Sequence, residues 1–199
     1  MDPTPQSQLE VIYRQLGRSS GFRGFTPSFL LAVAAAAAVV TLLLSVIAGG
    51  WSLERTAGAW AVAGVVIGTA VLLVVLVPAL RSSSRIQRAA ARATGKQMVL
   101  PLGVGVLVTA VVLLRHPTAL PLLPAVWLVL FGLAISGLSG VMRERVEYVA
   151  LFYIVAGAAV YLIRPETSGM FTGSVGIPFS AGHLLTAALL SAHRDGGAA

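Results

Sequence analysis

Apolar residues fall into six long uncharged runs that are separated by short polar connections. Most of these runs reach the roughly 17–25 residues that an α-helix needs to cross a hydrocarbon core at about 1.5 Å per residue. The pattern therefore predicts an all-α polytopic membrane protein, a bundle of six transmembrane helices within residues 27–193. The predicted spans cover residues 28–49, 59–80, 98–114, 119–140, 147–163 and 176–192.

The composition agrees with this class and excludes others. Hydrophobic residues make up 57% of the 199 and charged residues only 11%, whereas soluble domains have about 45–50% apolar and about 25% charged residues. Cysteine is absent, which excludes disulfides, thiolate catalysis, and iron–sulfur or Cys-type zinc sites. A soluble enzyme is therefore not expected.

The basic residues predict the orientation of the chain. If the N-terminus is cytoplasmic, eleven of the fourteen lysines and arginines lie on the cytoplasmic side and three on the other. This bias follows the positive-inside rule and predicts that both termini are cytoplasmic. Because the net charge of +7 lies in short connections, nucleic acid is not an expected partner. The three basic residues on the side opposite the cytoplasm are Arg55, Arg115 and Arg164.

Two polar segments flank the predicted bundle. Residues 1–26 are predicted to form a cytoplasmic segment with a short amphipathic helix, because Leu9, Ile12, Tyr13 and Leu16 share one helical face. That helix could lie at the membrane interface or against the bundle, or it could bind a partner. Residues 194–199 form a predicted cytoplasmic tail.

The densest charge lies between the second and third spans. Its cations recur at steps of four, three, four and four, which places them on one helical stripe. We expect this stripe to contact anionic lipids of the inner leaflet, and an acidic partner is the alternative. The stripe, called the basic stripe below, consists of Arg81, Arg85, Arg88, Arg92 and Lys96.

His183 is the one ionisable residue well inside a predicted span, and with Ser180 and Thr186 it forms a candidate intramembrane polar site. The favoured interpretation is a hydrogen bond that packs two helices together. A proton or solute site, or a haem or metal ligand, are alternatives, although bis-histidine haem would need a second intramembrane histidine. No catalytic constellation is recognisable, so we expect no catalytic residues, no metal site and no cofactor.

Small residues at four-residue steps predict close helix crossings. Gly64 and Gly68 form a GxxxG pattern in the second span, and Gly132, Ser136 and Gly140 continue the same spacing in the fourth. Such faces let helix backbones approach closely. We expect them to pack the bundle itself, and a homodimer face is the alternative.

The third and sixth spans share Gly/Pro-rich segments, residues 101–105 and 176–182, which we interpret as the openings of these spans. They fall at equivalent positions when the chain is divided into two halves of three spans. Paired interruptions of this kind are typical of inverted-repeat transporters. A proline in the first turn of a helix is, however, ordinary.

Three features together carry a resemblance: the motif Arg18-Ser19-Ser20-Gly21-Phe22, the six spans, and a last helix with Gly182-His183. In these the chain resembles a family of small, uncharacterised bacterial six-span inner-membrane proteins. The resemblance covers the whole chain and implies a multi-pass inner-membrane architecture. It implies no activity.

These observations favour a non-enzymatic accessory, assembly or sensory component of a membrane complex, in contact with a membrane-protein partner. The basis is the scarcity of polar residues within the spans. The alternative is a small carrier or channel for a neutral or lipophilic solute near His183. A haem- or metal-binding membrane subunit is the third possibility.

Overall fold

The computed structural model of the chain describes residues 25–138 and 146–195. Within these ranges the chain contains six α-helices and no strand. Short 3-10 helices, Ala48–Gly50 and Pro117–Leu122, follow the first helix and precede the fourth. The α-helices are α1 Pro27–Ile47, α2 Leu53–Arg81, α3 Arg85–Arg115, α4 Leu123–Leu138, α5 Val146–Ile163 and α6 Ser168–Asp195.

All six helical segments are long and apolar enough to cross a membrane, if α4 is taken together with the 3-10 helix before it. The prediction of an all-α chain with six such helices is confirmed. The predicted N-terminal amphipathic helix, Gly140 and the last four residues of the tail lie outside the described residues.

Hydroxyl side chains begin several helices. Thr26 Oγ1 accepts a hydrogen bond from the amide of Phe29 at 3.2 Å, with Pro27 in the first turn. Ser52 caps α2, and Ser84 caps α3 by accepting from the amide of Gln87. Each cap satisfies an amide that has no partner within its helix. The polar run 82–84 thus separates α2 from α3.

Two helices begin well before the spans predicted for them. α3 starts at Arg85 and α6 at Ser168, because hydropathy measures the lipid-compatible length of a helix and not its full length. Pro101 and Pro178 consequently lie inside helices. The interpretation that they stand at helix openings is wrong, and each leaves one carbonyl of the preceding turn without its intrahelical donor.

Helix α6 is central to the packing. It lies along α1 and also contacts α2, α4 and α5, while α4 packs most extensively against α5. α1 and α2, although consecutive, barely touch. Two apolar clusters form the core, one around Trp60 and Phe171 and one around Leu128 and Tyr153.

Four glycines allow the closest helix crossings. A Cβ on Gly132 would lie 2.9 Å from the carbonyl oxygen of Ala150, and one on Gly157 would lie 3.0 Å from that of Ala125, so α4 and α5 approach through both. A Cβ on Gly176 would overlap Thr41 of α1. Glycine is therefore needed at these crossings on steric grounds. At the fourth, Gly182, a Cβ would overlap the ring of Tyr153.

Gly64 and Gly68 behave differently. A Cβ on either residue would meet no described heavy atom within 4 Å, so the expectation that they pack the bundle is wrong for this pair. The reason is that α2 is buried near its ends, at Ala57, Trp60 and Val75, and not between them. Of the predicted fourth-span positions, Gly132 lies at a crossing, whereas Ser136 is exposed.

Candidate functional site: a polar cluster between α5 and α6

His183 lies near the middle of α6 and faces Tyr153, near the middle of α5. Its Nδ1 is 3.0 Å from the Tyr153 hydroxyl and 2.8 Å from the carbonyl oxygen of Phe179, one helical turn earlier. The Tyr153 hydroxyl also lies 3.3 Å from that carbonyl. Three polar groups therefore share one point of contact between two helices.

The position of one proton decides how these groups are bonded. When Nδ1 carries the proton it donates to the Phe179 carbonyl, and the Tyr153 hydroxyl can donate to the same oxygen. In the other tautomer Nδ1 accepts the hydroxyl proton of Tyr153. In the described part of the chain His183 Nε2 has no hydrogen-bond partner, so it retains the capacity for one further bond.

Aromatic rings enclose the cluster. Phe131 of α4 lies edge-on to Tyr153, with 4.8 Å between ring centroids, and 5.0 Å from Phe179. Tyr153 is only 1% exposed. Because Gly182 has no side chain, the tyrosine ring lies directly against the backbone of α6. The surroundings are apolar, which makes an unpaired polar group expensive there.

The other two members of the predicted site do not bond to His183. Thr186 Oγ1 donates to the carbonyl of Gly182 at 2.7 Å, within its own helix. The Ser180 hydroxyl is buried and has no hydrogen-bond partner among the described residues. The same holds for Oε1 of Gln97 in α3, which lies near Gly137 of α4.

Two tryptophan side chains elsewhere in the helices are hydrogen-bonded within the chain. Trp127 Nε1 donates to Thr109 Oγ1 at 2.8 Å, and this hydroxyl donates to the carbonyl of Gly105. Trp60 Nε1 donates to Thr172 at 3.4 Å. These bonds join α3 to α4 and α2 to α6, so they serve helix packing.

The basic stripe is largely open to its surroundings. Arg81 ends α2, and the other four members lie in the first half of α3. The prediction that all five share one helix is therefore wrong for Arg81, because the polar run 82–84 ends the helix before the other four begin. Arg81, Arg85, Arg92 and Lys96 are exposed. Arg88 is half-buried, and its guanidinium donates to the carbonyl of Ser82, across the break between the two helices. The stripe therefore contains four cations that are accessible to an anion and one, Arg88, that holds the connection together.

Sequence reasoning missed Tyr153, the partner of His183. Its position in the sequence could have identified it, because Tyr153 falls in the middle of the apolar run 147–163. Tyr148 and Tyr161, by contrast, lie near the ends of this run, where tyrosines at a membrane interface are expected. A hydroxyl at such depth needs an internal partner. Gly157, Gly176 and Gly182 were likewise not identified as packing residues.

The arrangement can hold α5 and α6 together through the hydroxyl proton of Tyr153, which is donated either to His183 Nδ1 or to the Phe179 carbonyl. Among the described residues no three His, Asp or Glu side chains group closely enough to hold a metal ion. No family model, curated protein or solved structure matches the chain, so the family resemblance stays a prediction and function must be argued from the geometry.

Proposed function

We propose that the chain is a multi-pass inner-membrane protein with both termini in the cytoplasm. In this proposal it acts as a non-enzymatic accessory or assembly subunit that receives a transmembrane helix of a partner protein on α2. The observation that carries the proposal is the uncovered pair Gly64 and Gly68. The small-residue face of α2 has the pattern for a close helix crossing, and no described helix lies on it.

The contrast with the other glycines supports this proposal. Gly132, Gly157, Gly176 and Gly182 each have a neighbouring helix so close that a Cβ would collide with it. Close approach gains van der Waals contact that lipid tails do not supply as well. A GxxxG face with no neighbour among the described helices is therefore suited to a helix from another chain.

The location of the face on α2 gives the same indication. At 100° per residue, Gly64 and Gly68 lie on the same side of α2 as Ala57 and Val75, which are buried nearer its two ends. The described helices therefore cover this side of α2 at both ends and leave its middle open. A crossing helix can reach the backbone there without displacing a described residue.

The distribution of polar groups favours an assembly role over chemistry. The side chains of His183, Tyr153, Thr109 and Thr186 are bonded within the chain. Bonds within and between helices thus engage these polar groups, which catalysis would otherwise need.

Native mass spectrometry of protein extracted mildly from its own membranes tests the proposal. Wild type should carry an additional polypeptide, which Gly64→Ile and Gly68→Ile should remove by blocking the close approach. Gly103→Ile is the matched control, because Gly103 is equally open but lies on α3 outside any such pattern. A bare monomer, a second copy of the chain, or equal retention in all variants would contradict the proposal.

A carrier for a neutral or lipophilic solute is the second candidate. Two buried oxygens favour it, Ser180 Oγ and Gln97 Oε1, which have no partner in the described part of the chain. Pro178 and Pro101, inside the same two helices, weaken the backbone nearby. Solute flux into reconstituted vesicles should fall in Ser180→Ala and Gln97→Leu, and flux equal to that of wild type would count against this candidate.

A further inference from the structure

An apolar cleft opens where α1 and α2 diverge. Its volume is about 570 Å³, within the roughly 300–1,000 Å³ of pockets that hold small ligands. Val40 contributes the wall on α1, and small or β-branched residues of α2 form the rest. The α2 wall includes Gly58, Ala59, Val62, Ala63 and Val66.

A single cation stands at the mouth of this cleft. The guanidinium of Arg55 lies 4.2 Å from the ring centre of Trp51, and both residues line the opening. Arg55 is exposed and forms no ion pair with any described residue, including its neighbour Glu54. It also sits in the first turn of α2, where the helix dipole disfavours a cation and favours an anion. The mouth therefore suits a negatively charged group.

The length of the cleft fits one leaflet of a bilayer. Its wall on α2 runs from Arg55 to Ile67, which is about 18 Å at about 1.5 Å per residue. Half of a hydrocarbon core about 30 Å thick is about 15 Å. An acyl chain lying along α2 from a headgroup at Arg55 would thus reach roughly the middle of the membrane.

We infer that this cleft is a binding site for one anionic phospholipid, with an acyl chain along α2 and the phosphate on Arg55. Complementary charge at the mouth and small apolar walls below it select this occupant. By helical position the cleft lies on the side of α2 opposite Gly64 and Gly68, so the inference does not depend on the proposed partner helix. It is also separate from the basic stripe, which lies near the opposite end of the bundle.

Photo-crosslinking tests the inference at residue resolution. The probe is phosphatidylglycerol with a diazirine on one acyl chain, in phosphatidylcholine vesicles that contain the full-length protein. Mass spectrometry should place crosslinks on the wall of the cleft, around Ala63 and Val66. Arg55→Gln should lower this crosslinking about five-fold, from one phosphate–arginine contact near the surface. Arg115→Gln, an exposed arginine at the same end of the bundle, should not.

A second pair of variants tests the acyl-chain channel. Ala63→Phe should fill the cleft and lower crosslinking of both the anionic probe and a phosphatidylcholine probe, whereas Val65→Phe, on the opposite side of α2, should not. Equal losses in Arg55→Gln and Arg115→Gln would overturn the inference, because they would indicate general attraction to the surface. Crosslinks that avoid the cleft, or a polypeptide seated in it, would overturn it as well.

Discussion

His183, the residue that the sequence selects as a candidate site, has a hydrogen-bonding partner in Tyr153 of the neighbouring helix. A histidine in an apolar helix suggests a ligand or a proton carrier. Here, however, its Nδ1 lies within hydrogen-bond distance of the Tyr153 hydroxyl on α5 and the Phe179 carbonyl on α6. The bond joins helices that are otherwise held by apolar contact. At the scale of single residues the pair therefore forms a hydrogen bond between α5 and α6.

Removing the hydroxyl of Tyr153 should weaken the contact between α5 and α6 and lower the stability of the bundle. Tyr153→Phe keeps the ring and deletes one hydrogen bond, so the free energy of unfolding in a lipid bicelle should fall by about 0.6–1.7 kcal/mol. Tyr161→Phe, at an exposed position in the same helix, is the control and should change little. Steric trapping gives the unfolding free energy of both variants.

A double-mutant cycle then tests whether the loss comes from the contact with His183. If the two side chains act together, the effects of Tyr153→Phe and His183→Leu should not add. Additive effects would mean that the Tyr153 hydroxyl acts through the Phe179 carbonyl and not through His183, and the proposed Tyr153–His183 bond would have to be abandoned.

At the scale of helices, the glycine crossings decide which faces meet. Gly157 places α4 against α5, and Gly182 places the backbone of α6 on Tyr153. Neither contact tolerates a methyl group without movement, since the neighbouring atoms are backbone or a buried ring. The close approach of α4 to α5 and of α5 to α6 thus depends on glycine, which has no side chain, at these positions.

Alanine at these positions should therefore destabilise the bundle, although alanine favours helices. Gly157→Ala and Gly182→Ala should each cost about 1–3 kcal/mol from overpacking, more than the roughly 1 kcal/mol gained in helix propensity. Gly103→Ala, where a Cβ meets nothing within 4 Å, should be neutral or stabilising. Thermal unfolding in detergent ranks the three, and a stable Gly182→Ala would show that Tyr153 can move away.

The element scale also shows what the sequence can and cannot predict. Six apolar helices followed from run length, because a membrane requires about 20 consecutive apolar residues whatever the partner helix. The spacing of Gly64 and Gly68 equals that of Gly132 and Ser136, yet only Gly132 is covered, because coverage depends on which helices become neighbours. The pairing of Tyr153 with His183, 30 residues apart, depends on the same information.

At the scale of the whole molecule, the distribution of charge is the basis of the proposed orientation in a membrane. The α2–α3 connection carries the basic stripe, whereas the ends of the helices on the other side carry Arg55, Arg115 and Arg164. Positive residues are retained on the cytoplasmic side during insertion. The proposed lipid site at Arg55 would accordingly face the outer leaflet of the inner membrane.

Cysteine labelling tests this orientation without any background mutation, because the chain has no cysteine of its own. Ser83, between α2 and α3, and Thr118, between α3 and α4, are both exposed and lie at opposite ends of the bundle. In intact cells a membrane-impermeant maleimide should label Thr118→Cys only. Ser83→Cys should react after the membrane is permeabilised, and the wild-type chain should not react in either state.

The charge argument also predicts how the orientation can be disturbed. Replacing all five residues of the basic stripe by glutamine leaves six basic residues against three, so the bias that selects one orientation becomes smaller. A fraction of Ser83→Cys molecules should then react in intact cells. Replacing Arg55, Arg115 and Arg164 instead increases the bias and should leave labelling unchanged. If Ser83→Cys reacts in intact cells while the basic stripe is unchanged, the topology is the inverse of the one proposed. The exposed arginines and lysine of α3 would then face the outside.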